Sequence, residues 1–263
     1  MIERPAQTVI PILGDPVAQV ATPPLWNAHF ASIGADAVCV PIHLKAAGLE
    51  AFVEWMRHAP NVPGFLTTIP HKAALPALCD TCRDEVAMLG VANTVRRNAD
   101  GRLECAMFDG VGMIAAIEAR GAVIAQGAIL IIGAGAAGGA IAHEALTRGA
   151  TRIVILDHVQ AQADRIAGLL RARFPEREVI TQADAAGPFA AIVNASPLGN
   201  APGDPHPWPL EAVGAETVIA DAVTDPSPTP WLAAAKAAGL RTVPGSDMAA
   251  FQAALMRAFI GIA

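Results

Sequence analysis

Apolar positions along this chain fall into two rhythms, short strand-like runs and longer helical stretches. Val9–Leu13 is an apolar run that meets the polar turn Gly14-Asp15-Pro16, which predicts a buried strand entering a loop. Thr22 suits an N-cap, Pro23 the first helical turn and Gly34 a C-terminal stop, so a helix is expected between them. Ala37–Leu44 reads as a second strand, Ala47–His58 as a helix and Gly64–Ile69 as a third strand. Strands alternating with helices predict parallel βαβ units. After Phe108 the pattern changes. Asp109–Arg120 reads as an amphipathic helix, followed by the continuous apolar strand Ala128–Ile132, a glycine turn and the helix Ala136–Arg148 before Gly149. A buried strand is expected at Arg152–Leu156, with further strands at Ala190–Asn194 and Thr217–Ala220 and a closing helix over Asp247–Ile260. The proline-rich stretches around Pro202–Pro209 and Asp225–Pro230 read as loops.

The glycine turn carries the first chemistry. Gly133-Ala134-Gly135-Ala136-Ala137-Gly138 fits GxGxxG, in which the glycines permit a tight turn, close approach to a pyrophosphate and close helix–strand packing. The amides at the start of the following helix, from Ala136 onward, then serve as anion donors. A bare match is weak. Here it follows a strand, opens a helix and is followed by a second strand ending in Asp157, about 20 residues on, where a ribose-binding acid is expected. A carboxylate there accepts ribose hydroxyls and repels a 2′-phosphate, and neither His158 nor Val159 offers a guanidinium. NAD is therefore expected over NADP, although Arg152 and Arg165 lie near in sequence.

Composition narrows the class. Of 263 residues, 53% are hydrophobic and 16% charged, with a net charge of −6, so no basic stripe is available for nucleic acid. The longest apolar stretch, Ala122–Ala142, is broken by Gln126 and glycines, so no membrane span is expected. MIERPAQTVI lacks a basic region ahead of an apolar block, which leads us to expect a cytoplasmic protein without a secretory signal. Cys79 and Cys82 form a CxxC in a stretch that reads as helical, but no second pair completes a metal set. Reduced structural thiols and no metal are expected.

One further stretch, Thr67–Lys72 (TTIPHK), places a lysine just past a strand end. Alone, Lys72 reads as a solvated lysine. Taken with VANT at Val91–Thr94, DGVG at Asp109–Gly112 and the glycine motif in that order, the chain resembles the shikimate dehydrogenase family, including the shikimate/quinate dehydrogenases. The likeness runs from ILGDPVAQVATPPLWNAHF to PGSDMAAFQAAL. It implies an α/β fold with an N-terminal α/β substrate domain (1–108), a Rossmann NAD(P) domain (109–240) and a C-terminal helix (241–263) packing back on the first, with a cleft between the domains. It also implies hydride transfer between a nicotinamide and a ring carbon bearing a hydroxyl, on a small-molecule substrate, in a monomer or homodimer. By the same resemblance Lys72 and Asp109 flank the reacting hydroxyl as a proton relay, while Asn93 and Thr68 face the substrate and Gln252 closes over it. Asn194, Ser196, Pro197 and Leu198, in NASPLG, run beside the cofactor, and Gly245 and Met248 lie near the nicotinamide.

The departures gather at one end. The family's Ser-x-[ST] pair, which holds the substrate carboxylate, is Val20-Ala21-Thr22 here, so Thr22 is the hydroxyl retained. Thr224 stands where a tyrosine is usual, Leu66 replaces an asparagine, and Met107-Phe108 replaces Asn-Thr. Trp26, His29 or Gln19 would line an altered pocket, and each reads equally as packing. Three readings stay open: a dehydrogenase of shikimate- or quinate-like cyclic hydroxy acids; a divergent paralogue acting on another hydroxy, keto or amino substrate; and a dinucleotide-binding regulator without turnover.

Overall fold

The structure is a computed structural model that describes residues 7–18, 20–182, 187–211 and 213–262. It divides into two units, one running to Phe108 and resuming at Ala253, the other Asp109–Gln252. Gln19 lies outside the described residues.

The first unit is built on a six-stranded mixed sheet. Its elements are β1 (Thr8–Gly14), α1 (Thr22–Ile33), β2 (Ala37–His43), α2 (Leu49–Arg57), β3 (Gly64–Thr67), β4 (Thr81–Cys82), α3 (Asp84–Leu89), β5 (Thr94–Arg97) and β6 (Leu103–Ala106). β1 pairs in parallel with both β2 and β3, as alternating strands and helices predict. Beyond β3 the sheet turns antiparallel, through β5 and β6. The turn Asn98-Ala99-Asp100-Gly101 joins these two, with the Gly101 amide donating to the Asn98 carbonyl at 3.0 Å. Arg96 and Glu104 face each other across the hairpin as an ion pair, which explains why so polar a segment forms strands.

Two local expectations are corrected. α1 begins at Thr22, but the cap position is Ala21 and no side chain caps the helix, so Thr22 is not spent on capping. Gly34 does end it, in the left-handed conformation. The CxxC is not helical: a 3-10 turn ends at Leu78 and Cys82 lies in β4. Asp80 between them pairs with Arg57 at 2.5 Å and accepts from the Leu103 amide at 2.7 Å, which holds the segment extended. All four cysteines are free thiols, and burial pushes Cys39 up to about 12.

Trp26 and Phe30, edge to face at 6.1 Å, lie in an apolar cluster with Ile10, Leu66 and Phe108. Val20 packs against it from the rim, and Ala253, Met256, Phe259 and Ile260 from the chain's end complete it. Trp26 is thus fully buried packing.

The second unit contains α4 (Asp109–Ala119), β7 (Ala128–Ile132), α5 (Ala136–Thr147), β8 (Arg152–Leu156), α6 (Gln160–Arg173), β9 (Glu178–Ile180), β10 (Ala191–Asn194), β11 (Val218–Asp221), α7 (Pro230–Ala237), β12 (Arg241–Val243) and α8 (Gly245–Ile260), the last continuing into the first unit. Its strands are all parallel in the order β12-β11-β10-β7-β8-β9, the doubly wound arrangement of a Rossmann sheet. α4 is buried on most sides rather than amphipathic. A Cβ on Gly110 would fall 2.2 Å from the Ala140 carbonyl oxygen, so the helices α4 and α5 cross nearly backbone to backbone. Among the described residues no helix is long and apolar enough to cross a membrane.

Candidate functional site

In a doubly wound sheet, ligands bind beyond the carboxyl ends of the strands where the strand order reverses. Here that point lies between β7 and β10. The chain leaves β7 through Gly133, at φ +104°, a conformation costly for any side chain. A Cβ on Gly133 would fall 2.7 Å from the Ser196 nitrogen, and one on Gly138 would fall 1.9 Å from the Gly133 carbonyl oxygen. Gly135 is different: nothing lies within 4 Å of where its Cβ would be. It is the cap residue of α5 and has no side chain to accept from the first-turn amides at Ala136, Ala137 and Gly138. This cradle fits the pyrophosphate of a dinucleotide.

Asp157, at the end of β8, braces the turn. Its Oδ2 accepts from the Ala134 amide at 2.7 Å and its Oδ1 from the Val159 amide at 2.9 Å.

On the other side of the switch, Asn194 ends β10 fully buried and in register with Asp221 at the end of β11. Asn194 Nδ2 donates to Asp221 Oδ1 at 3.0 Å and to the Leu198 carbonyl at 2.8 Å. Its Oδ1 accepts from the Ser196 hydroxyl at 2.7 Å and the Ser196 amide at 3.1 Å. Thr229 Oγ1 donates to Asp221 Oδ2 at 2.8 Å, and the Val223 amide donates to Oδ1 at 3.0 Å. Burial raises the Asp221 carboxyl to about 6 against the pull of these donors. Pro197 is exposed beside them. A Cβ on Gly245 would fall 2.5 Å from the Val223 carbonyl oxygen, so the start of α8 sits on the turn after β11, with Met248 buried behind it. Asp221 and Thr229 escaped the sequence reading. The signal was present, since the apolar runs of β8, β10 and β11 lead alike into an acid or amide: IVILD, AIVN, VIAD.

In the first unit, Thr68, Lys72 and Asn93 come together at the ends of β3 and β5. The Thr68 amide donates to the Leu13 carbonyl, the Ala92 amide to the Lys72 carbonyl, and the Thr67 amide to the Asn93 carbonyl. Thr68 and Lys72 are half-buried, as is Thr22 at the start of α1. Asn93 is buried, its Oδ1 accepting from the Phe108 amide at 3.1 Å and from Thr94 Oγ1 at 2.9 Å. His71 turns inward, its Nε2 within 2.8 Å of the Leu44 carbonyl. In the second unit Asp109 opens α4 buried, and Thr224 is half-buried after β11. Gln252 lies against α4, its Cβ 2.9 Å from where a Cβ on Gly112 would stand. Among the described residues no cluster of histidine, cysteine and acidic side chains suits a metal ion.

Residues 12–95 match the shikimate dehydrogenase substrate binding domain. A shikimate dehydrogenase (NADP(+)) from Rubrobacter xylanophilus is 33% identical over 261 residues, spanning 97% of this chain and 91% of its own. The ligand-free 5-ketofructose reductase of Gluconobacter sp. strain CHM43 has a similar structure (TM-score 0.87, 28% identity, 96% of this chain and 92% of that one). So does shikimate 5-dehydrogenase from Thermus thermophilus in complex with NADP(H) and shikimate (TM-score 0.85, 28% identity, 97% and 94%). These findings correct the cofactor expectation: the Rubrobacter relative is named for NADP(+) and the Thermus structure holds NADP(H), so a preference for NAD is not supported. The geometry supplies a reason. Both Asp157 oxygens accept from backbone amides, so an acid at this position has a role in bracing the turn and does not by itself specify NAD. With 33% identity across nearly all of both chains, this chain belongs to the shikimate dehydrogenase family.

Proposed function

We propose that this chain is an NADP(H)-dependent oxidoreductase interconverting a secondary alcohol and a ketone on a shikimate- or quinate-like cyclic substrate. The observation that carries the reading is the glycine cradle at the switch point, in a member of the shikimate dehydrogenase family. The bound dinucleotide supplies the hydride chemistry. The chain must then supply a group that takes and returns the hydroxyl proton. Lys72 and Asp109 are the residues proposed for this. Asn93, Thr68, Thr22 and Gln252 are proposed to hold the substrate, and Gly133, Gly135, Ala136, Ala137, Gly138, Asp157, Asn194, Ser196, Pro197, Leu198, Gly245 and Met248 the dinucleotide. A cytoplasmic monomer or homodimer belongs to the same proposal.

The test follows nicotinamide absorbance against a panel of cyclic polyols and their ketones. Lys72→Ala should lower kcat by about 10²–10⁴-fold, the usual contribution of a positioned acid or base, with dinucleotide affinity nearly unchanged. Parallel loss of both would make Lys72 structural. Dinucleotide binding without turnover of any substrate would favour the regulator reading.

A second reading concerns the substrate's acid. Leu66 and Phe108, two of the departures from the family pattern, belong to one apolar cluster against which Val20, a third, packs. A hydrogen bond to a charged group is worth about 1.5–3 kcal/mol, so two losses lower affinity for a carboxylate by roughly 10²–10⁴-fold. On this reading the substrate is a shikimate- or quinate-like cyclic polyol that differs from shikimate at its acid end. Shikimate should be a poor substrate, and Val20→Ser should improve its kcat/KM by about 10–10²-fold, the value of one such bond. A micromolar KM for shikimate in the wild type would refute this reading.

A further inference from the structure

The Asn194 side chain has its oxygen on Ser196 and its nitrogen on Leu198 and Asp221, so it holds the turn after β10 in one shape. That turn is the wall against which Gly133 closes: a single added carbon on Gly133 would strike Ala195 and Ser196. Asn194 can be held this way only if its amide is oriented with nitrogen toward β11. The group that ties it to the neighbouring strand is Asp221, a fully buried acceptor in register across the strand pair. Asp221 is held in turn by the Val223 amide and the Thr229 hydroxyl, and Thr229 caps α7 by accepting from the Leu232 amide at 3.3 Å.

We propose that Asp221 is a positioning residue for the dinucleotide: by accepting from Asn194 it sets the Ala195–Leu198 turn against the glycine cradle. It does not touch the ligand in this scheme. The inference rests on the proposed dinucleotide-binding function and adds to it a residue outside the glycine motif and the turn themselves. What matters is the acceptor at Oδ1. Asparagine at this position retains that acceptor for Asn194 and Val223 and directs its amide at Thr229 Oγ1, so it should position the turn as well as the acid does. Alanine removes that acceptor, so Asn194 stays tied to its own turn through Ser196 and Leu198 but loses its bond to Asp221.

The experiment measures NADP(H) dissociation constants by fluorescence titration for the wild type, Asp221→Asn and Asp221→Ala, with a melting curve for each. Asp221→Asn should bind within about threefold of the wild type, and Asp221→Ala at least about tenfold more weakly while still melting cooperatively, a discrimination of the size one lost positioning contact gives. If the alanine variant does not fold, Asp221→Ser, whose hydroxyl can meet the Val223 amide, is held to the same criterion. A purely structural residue would lower the melting temperature and leave the dissociation constant alone, and that result overturns the inference. So does an asparagine variant as weak as alanine. A wild type that binds no nicotinamide dinucleotide overturns the functional reading as well, and is told apart because failure of the inference alone leaves wild-type binding intact.

Discussion

Asp221 also makes a prediction about stability, apart from any ligand. Its carboxyl is raised from 3.8 to about 6, with burial as the leading cause. Between those values the folded chain holds a proton that the unfolded chain has released. Its contribution is therefore fully present below the unfolded value and is lost as pH rises through about 6, at about 1.4 kcal/mol per unit. Over about two units the change approaches 3 kcal/mol. Asparagine does not titrate, so the stability of Asp221→Asn relative to wild type should rise by up to that amount between pH 4 and pH 8. Melting curves across this range check it, and a pH-independent difference would sink it. At this scale the sequence was legible where a residue's type dictates its use, as with Gly133 and Gly138. Asp157 did not decide between NAD and NADP, because a carboxylate that braces a turn through two backbone amides keeps further acceptor sites, and its presence alone does not name the cofactor. Asn194 was placed beside the cofactor, and its buried ties to Ser196, Leu198 and Asp221 needed coordinates.

At the scale of elements, the turn between β7 and α5 separates two glycines that a motif treats alike. A methyl on Gly138 meets the Gly133 carbonyl, so Gly138→Ala must move the turn and should cost about 1–3 kcal/mol of stability along with dinucleotide affinity. Gly135, at φ −76° with open space at its Cβ position, accepts a methyl without strain. Gly135→Ala should therefore melt within about 0.5 kcal/mol of wild type, as a strain-free surface change does, yet bind the dinucleotide more weakly because the methyl occupies the ligand's side of the turn. Equal melting losses in both variants would contradict this. The parallel strands β7 and β8 were readable because burial on both faces makes them continuous apolar runs. β5 and β6 were not. Their ladder joins Arg96 to Glu104, and a polar pair gives no apolar alternation to read. Pattern also made a helix of the CxxC segment, which Asp80, tied to Arg57 and Leu103, holds extended.

For the whole molecule, the consequential fact is that the chain departs the first unit at Phe108 and returns to it at Ala253. α8 serves both: Gly245–Gln252 counts with the second unit and Ala253–Ile260 with the first. Its returning half is core. Phe259 meets Phe108 edge to face at 5.7 Å and lies beneath Arg83 and Arg96, at 4.7 and 5.0 Å from their guanidinium carbons. Met256, Phe259 and Ile260 are each at most 5% exposed. Burying one such side chain is worth about 1.5–3 kcal/mol, so together they match much of the roughly 5–15 kcal/mol by which a domain is stable. The second unit has its own fully parallel sheet and the whole glycine cradle. A chain ending at Gln252 should therefore lose the ordered first unit, and turnover with it, while a cooperative melting transition and dinucleotide binding persist in the second. Calorimetry alongside NADP(H) titration reads both halves of this expectation. Undiminished turnover would show that the returning helix is dispensable, and loss of dinucleotide binding would show that the Rossmann sheet cannot hold its cradle without it.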